Sequence, residues 1–254
     1  SKDYLDAVWG VSAQPASAVP ALYDKESIMQ FSNGRPSLAF GPEYEVFDNE
    51  RRIARLPGPP YQFMDRVVEV DHPKFVLQKG GWIEAHYDVP PQEWYFAANR
   101  QTSMAYCILL EAALQPCGWL AAYAGSALRS QQDVKFRNLG GTARLIKEVF
   151  PHAGTMRMRV RMTDVNEAGG MIIENFDMQV YLGDELIYDG TTYFGFFSAQ
   201  ALAKQVGVRD AAERTYTPTP SEWQNFTPVS IPVVHPMTPE DNLVTPAPSA
   251  NMPG

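Results

Sequence analysis

SMAYCILLEAALQPCGWLAAYAGSAL, residues 103–128, is the stretch on which the fold turns. It is apolar on nearly every side, and at ~1.5 Å per residue a helix of this length could cross a bilayer. Glu111, Gln115 and Pro116 in its middle argue against lipid, where an ionisable group at mid-span is expensive. A helix that is apolar all round and still carries such groups is one wrapped by protein. The i, i+4 spacing of Glu111 and Gln115 sets carboxyl and amide on one face, within reach of each other.

Outward from this helix the chain reads as strand. Met156, Met158, Val160 and Met162 alternate with Arg157, Arg159 and Arg161, the period of a sheet with one buried face. In MIIENFDMQVYL, residues 171–182, Phe176, Met178, Val180 and Leu182 share one face, while Asn175, Asp177 and Gln179 share the other. Gly183-Asp184 then predicts a hairpin turn into ELIYDGTTYFGFF. The arginine row is expected to pair across strands with Glu174 or Asp177. Upstream, residues 75–89 read as a further strand, and order is expected from LPGPPYQFMDRVVEV, residues 56–70, onward. The fold class is α+β: a long central helix wrapped by a curved antiparallel sheet over residues 56–200. Residues 1–55 read as an arm or linker, with a short helix around Asp24 to Phe31 and then extended chain. Residues 201–254 read as a C-terminal linker, Pro-rich from about 214.

Bulk composition narrows the function classes. With 254 residues and 45% hydrophobic side chains, the chain can bury a large core. A net charge of -8 supplies no basic field for nucleic acid or anionic lipid, so neither those partners nor membrane insertion is expected. Cys107 and Cys117 both fall in the apolar stretch and read as core filler in a reducing, cytoplasmic setting. The opening Ser suggests a piece of something longer. No metal-ligand spacing and no phosphate-cradling glycine loop is present, so no metal or cofactor is expected. His72 and His152 read as turn residues, His86 as a strand residue and His235 as a tail residue, each more at home on the surface than in chemistry.

Five blocks carry a resemblance. LPGPPYQFMDRVVEV, EWYF (93–96), MAYCILLEAALQPCGWLAAY (104–123), DVKFRNLGG (133–141) and DELIYDGTTYFGFF (184–197) occur in the order found in bacterial 3-hydroxydecanoyl-ACP dehydratase/isomerase. The chain resembles more closely the dehydratase region of the polyunsaturated fatty acid synthases, which are polyketide-synthase-like megaenzymes. That likeness adds FGPEYEVFDNERRIARLPGPPY (40–61) and ALQPCGWLAAYAGSAL (113–128). It implies a hot-dog fold, here one half of a double hot dog. It also implies 3-hydroxyacyl-ACP dehydration, with no cofactor and the substrate carried on the phosphopantetheine of an acyl carrier protein. Implied partners are that carrier and a second hot-dog domain, supplied in cis or by homodimerisation.

In that family a His follows a Trp-Phe-Phe turn, and an acid on the central helix is followed four residues later by Gln. The acid half of the pattern matches Glu111 and Gln115. A general acid is what the reaction needs, because a β-hydroxyl leaves poorly until protonated. At the His position stands Asn99, or Ala97 when counted back from Glu111, and neither can abstract a proton. Trp94, Phe96, Met104, Tyr106, Cys107 and Phe136 match substrate-contacting positions, with Tyr106 where a Gly is usual. Three readings follow. Glu111 is the acid of a composite site whose His lies on a partner hot dog; or the domain is a structural hot dog without activity; or it is a thioesterase in which Glu111 activates water or attacks the acyl carbon.

Overall fold

Asp24 accepts a hydrogen bond from the Ser27 amide at 2.9 Å and caps helix α1, Lys25–Ser32, close to where the sequence predicts a short helix. The computed structural model describes residues 19–203 apart from residue 100, together with residues 207 and 210–225. Pro36 opens α2, Pro36–Phe40; a 3-10 turn follows at Pro42–Tyr44, and α3 spans Val46–Asn49. This corrects the expectation of extended chain over that stretch. Its apolar residues do not build a core of their own but join the core of the central helix: Ile28, Phe31, Phe40, Tyr44 and Phe47 are all buried. The Phe40 and Tyr23 rings lie 5.5 and 4.8 Å from that of Trp119, and the Tyr44 hydroxyl donates to the Ala122 carbonyl. An arm whose aromatic residues have that surface to pack on becomes a helical cap.

Strand β1, Arg66–Asp71, pairs with β2, Trp82–Asp88. The expected strand start at Phe75 is wrong. Phe75 has φ 60 and gives its amide to the Tyr123 carbonyl at 2.9 Å, so the chain spends that donor on the end of the central helix and reaches strand geometry only after Gly80 and Gly81. A short helix α4, Trp94–Ala98, leads to the central helix α5, Tyr106–Tyr123, which Gly125 terminates in a left-handed conformation, φ 84. Among the described residues no helix is long and apolar enough to cross a membrane.

Four strands follow: β3, Val134–Leu145; β4, Thr155–Ala168; β5, Met171–Leu182; and β6, Glu185–Ser198, with the short helix α6, Ala199–Ala203, after them. With β1 and β2 they make one antiparallel sheet in the order β1-β2-β4-β5-β6-β3. Helix α5 packs on β2, β4 and β5. This is the hot-dog arrangement expected from the resemblance. Met156, Met158, Val160 and Met162 face the helix, and the arginine row faces outward.

Two details of the sheet differ from the sequence reading. Glu174 does not pair with the arginines; it lies on the inner face and is fully buried. Instead Arg157 and Arg159 converge on Glu84, at 3.0 and 2.9 Å. His86, expected near the surface, is buried and bonds the same carboxylate at 2.9 Å. This ring and then the guanidinium groups hold the Glu84 carboxyl far below the usual range. His72 is buried too, its Nε2 bonded to the Val76 carbonyl at 2.8 Å.

Residues 206–254 are a unit apart from the rest of the chain. Its described part contains α7, Ala211–Arg214, and α8, Pro220–Gln224. The expected irregular tail is interrupted at α8 because Thr219 and Glu222 form a reciprocal capping box with Pro220 at the first helical position. Most of the Pro-rich segment, with His235, lies outside the described residues.

Candidate functional site

Gln115 is held from three directions. Its Oε1 accepts the Phe63 amide at 2.8 Å, and its Nε2 donates to the Tyr61 carbonyl at 2.8 Å and to Glu111 Oε1 at 3.2 Å. The PPYQF segment before β1 thus fixes the amide, and the amide fixes one carboxyl oxygen of Glu111. The other oxygen remains available to a ligand. Burial pushes the Glu111 carboxyl above its ordinary pKa, and the Gln115 bond opposes that shift only in part.

Glu111 and Gln115 open into a cavity of about 350 Å³. Its helix wall continues through Leu114, Gly118 and Ala122; Phe136, Phe194 and Phe196 form the sheet wall, and residues 53–57 form a roof. Among these described lining residues Glu111 is the one carboxyl. Arg55 also lines the cavity, but its Nη1 donates to the carbonyls of Gly34 at 2.9 Å and Phe31 at 3.1 Å, so the charge is directed to the end of α1 and the stem faces the space.

Of the residues matched to substrate contacts, only Phe136 lies on this cavity with Glu111 and Gln115. Trp94 is exposed and donates to the Pro60 carbonyl at 3.1 Å; Phe96 is half-buried beside Tyr95. Met104 is buried, its amide bonded to Val149, and Tyr106 and Cys107 are exposed in the first turn of α5. Trp94 and Phe96 lie on α4 and Met104, Tyr106 and Cys107 at or just before the start of α5, all outside the cavity walls. The amides of Tyr106 and Cys107 have no intrahelical acceptor there. The exposure of Cys107 corrects its reading as core filler; Cys117 alone fits that description, fully buried with its thiol pKa pushed up by burial.

Neither stand-in for the family's His meets Glu111 across the cavity. Asn99 turns back to donate to the Ser103 carbonyl at 2.8 Å, and Ala97 is exposed. No described His lines the cavity: His72 and His86 are committed elsewhere, and His152 sits in a turn with φ 68.

Two features escaped the sequence reading. Phe31 and the first part of the roof, residues 53–55, come from the stretch read as arm or linker. Glu174, at the far end of α5, is hydrogen-bonded to Ser126, whose hydroxyl also donates to the Ala121 carbonyl at 2.8 Å; burial raises its pKa to about 8. The signal for Glu174 was present, since it shares the parity of Phe176, Met178 and Val180.

Among protein families, the FabA-like domain family matches residues 56–191. The chain is 29% identical over 192 residues to a polyunsaturated fatty acid synthase of Thraustochytrium sp., covering 72% of this chain but 13% of that relative's length. Among solved structures, the dehydratase heterocomplex ApeI:P from Xenorhabdus doucetiae aligns with a TM-score of 0.41 at 13% identity, covering 58% of this chain and 90% of that one. A thioesterase from Shewanella oneidensis aligns with a TM-score of 0.34 at 12% identity, covering 46% and 76%.

Proposed function

The chain belongs to the FabA-like domain family, and on that premise we propose that it is the acid-bearing half of a 3-hydroxyacyl-ACP dehydratase site. The substrate is a 3-hydroxyacyl group on the phosphopantetheine of an acyl carrier protein in the cytoplasm. Glu111, protonated, donates to the β-hydroxyl as the C–O bond breaks and water leaves. A base on a second hot dog takes the proton from the α-carbon, and the electron pair left there becomes the new double bond. Gln115 is a positioning residue that holds one carboxyl oxygen and leaves the other toward the substrate. The observation that carries this reading is a single carboxyl, raised in pKa by burial, opening into a mainly apolar cavity whose other polar lining residues are Arg55, Gln115 and Asn138.

The missing base is the reason to invoke a second hot dog, and β3 is where it would join. This strand is at the sheet edge, and Leu139, Leu145 and Ile146 are exposed along or beside it. A long edge with uncovered apolar side chains is a pairing surface.

The test is turnover of a 3-hydroxyacyl-ACP by the paired domains, wild type against Glu111→Gln. Gln preserves shape and the bond to Gln115 but has no acidic proton. Turnover is expected to fall ~10²–10⁴-fold, the share of a general acid. Unchanged turnover would reject the role and leave Glu111 a buried carboxyl in a structural hot dog.

A further inference from the structure

We infer that Gly118 and Leu56 form the throat of an acyl-chain channel running along α5 from Glu111 to Ala122, and that this pair sets the chain length the site accepts. The inference rests on the reading of Glu111 as the reacting end.

The cavity's helix wall is a single stripe: Glu111, Leu114, Gln115, Gly118 and Ala122 recur at the helical period on one face. Eleven residues of rise separate its ends, about 16 Å. An extended hydrocarbon of roughly a dozen carbons has that length. Phe136, Phe194 and Phe196 make the opposite wall mainly apolar, its one polar residue, Asn138, donating its amide to the Thr192 hydroxyl at 3.3 Å, so a straight alkyl chain is the ligand whose chemistry fits beyond the carboxyl.

Gly118 is the anomaly in this stripe. Glycine is the poorest helix former after proline, and it sits in the interior of an otherwise Ala- and Leu-rich helix. A Cβ added there would come 3.2 Å from Leu56 Cδ2, so helix and roof touch at this point and together form one side of the passage, with the phenylalanines on the other. That approach is with the tip of a flexible side chain, which can shift to admit a methyl group. A larger side chain would fill the passage. Beyond the throat, Ala122 and Ala127 keep the far end open. Part of the enclosure, Phe31 and residues 53–55, lies N-terminal to the family-matched segment, so a cap outside the matched region helps define the depth.

The test uses the full chain and S-acyl pantetheines of hexanoyl, decanoyl and tetradecanoyl length, with affinity read by titration calorimetry. In wild type each methylene buried adds about fourfold in affinity, and the gain continues from hexanoyl past decanoyl. From Glu111 to Gly118 is only about 10 Å. With Gly118→Leu, hexanoyl and decanoyl affinities are expected to change little, because counted from the β-carbon at Glu111 a decanoyl chain ends short of Gly118, while tetradecanoyl loses its advantage over decanoyl. Gly118→Ala, the milder change, should shift the plateau toward shorter chains, with circular dichroism showing both variants folded. Equal increments in a folded Gly118→Leu variant and wild type would overturn the throat. Wild type with no gain beyond hexanoyl would overturn the channel itself. Glu111→Gln keeps the channel: binding preserved with turnover unchanged would sink the acid role and spare the throat, so the two failures are separable.

Discussion

Replacing Glu174 by Gln removes a proton that the folded protein has to hold. The carboxyl is fully buried, hydrogen-bonded to Ser126, and raised from 4.5 to about 8 by burial first, with the charge of Glu167 adding to the shift. The Ser126 hydroxyl donates to this carboxyl and opposes the rise only in part. The sign follows from linkage. Because the folded pKa lies above the unfolded value, the stabilising contribution is complete below pH 4.5 and is lost as pH rises through about 8. At pH 7 the proton is held 2.5 pH units above the unfolded pKa of 4.5, which is about 3 kcal/mol. Gln cannot titrate, so the variant lacks this slope. Groups common to both proteins cancel in the difference, including Glu111 with the same sign and Glu84 with the opposite one. The nearest neighbours, Tyr44 and Cys117, have their pKa values raised and stay neutral across this window. Urea unfolding of both proteins from about pH 5 to 7 should show the wild type losing on the order of 2–3 kcal/mol relative to Glu174→Gln. Parallel curves would refute the claim that Glu174 is folded in its neutral form.

Two further outcomes are simpler to read. A thiol reagent should titrate Cys107 rapidly in the native protein and Cys117 only after unfolding, since one thiol is exposed and the other is buried with a raised pKa; two fast thiols would mean that the centre of α5 opens. Leu139→Lys combined with Ile146→Lys charges the exposed edge of β3 and should weaken pairing with a hot-dog partner by about tenfold or more in sedimentation velocity. An unchanged association constant would place the pairing surface elsewhere.

The central helix, three of the four strands after it and the Glu111–Gln115 pair were legible because each leaves a local pattern, whereas β3, Val134–Leu145, was not read as a strand. Met156 to Met162 alternates over its whole length, and 111 to 115 is one helical turn. What the sequence did not reveal is tertiary in origin. Residues 33–49 carry Gly, Pro and isolated aromatics that resemble a linker until Trp119 and the Ala122 carbonyl are brought alongside Phe40 and Tyr44. The Phe75 segment has strand-like composition, but its amide is captured by the Tyr123 carbonyl. His86 reads as a strand residue of either face; only the convergence of Arg157, Arg159 and Glu84 shows why a histidine is buried on the outward side. Glu174 is different. Its parity assigned it inward, and the general rarity of unpaired buried carboxylates argued for the other face. A neutral carboxyl bonded to Ser126 reconciles the two.

The cavity itself follows from a mismatch of widths. At ~4.8 Å between strands a six-stranded sheet spans roughly 24 Å, whereas a helix with its side chains is about 10 Å across. One helix therefore cannot cover the whole inner face. Helix α5 makes its main contacts with β2, β4 and β5, and the β6 and β3 half lies to one side of it. Residues 53–57 bridge part of that gap from above, and the space enclosed between roof, helix flank and the phenylalanines of β3 and β6 is the cavity. Glu111 projects into it because it sits on the flank of α5 that turns away from the sheet's covered half, and Gln115 one turn on holds it there. The same mismatch leaves the outermost strand, β3, with an unpaired edge. A fold with one helix on so wide a sheet thus leaves a cavity beside the helix and an open sheet edge together.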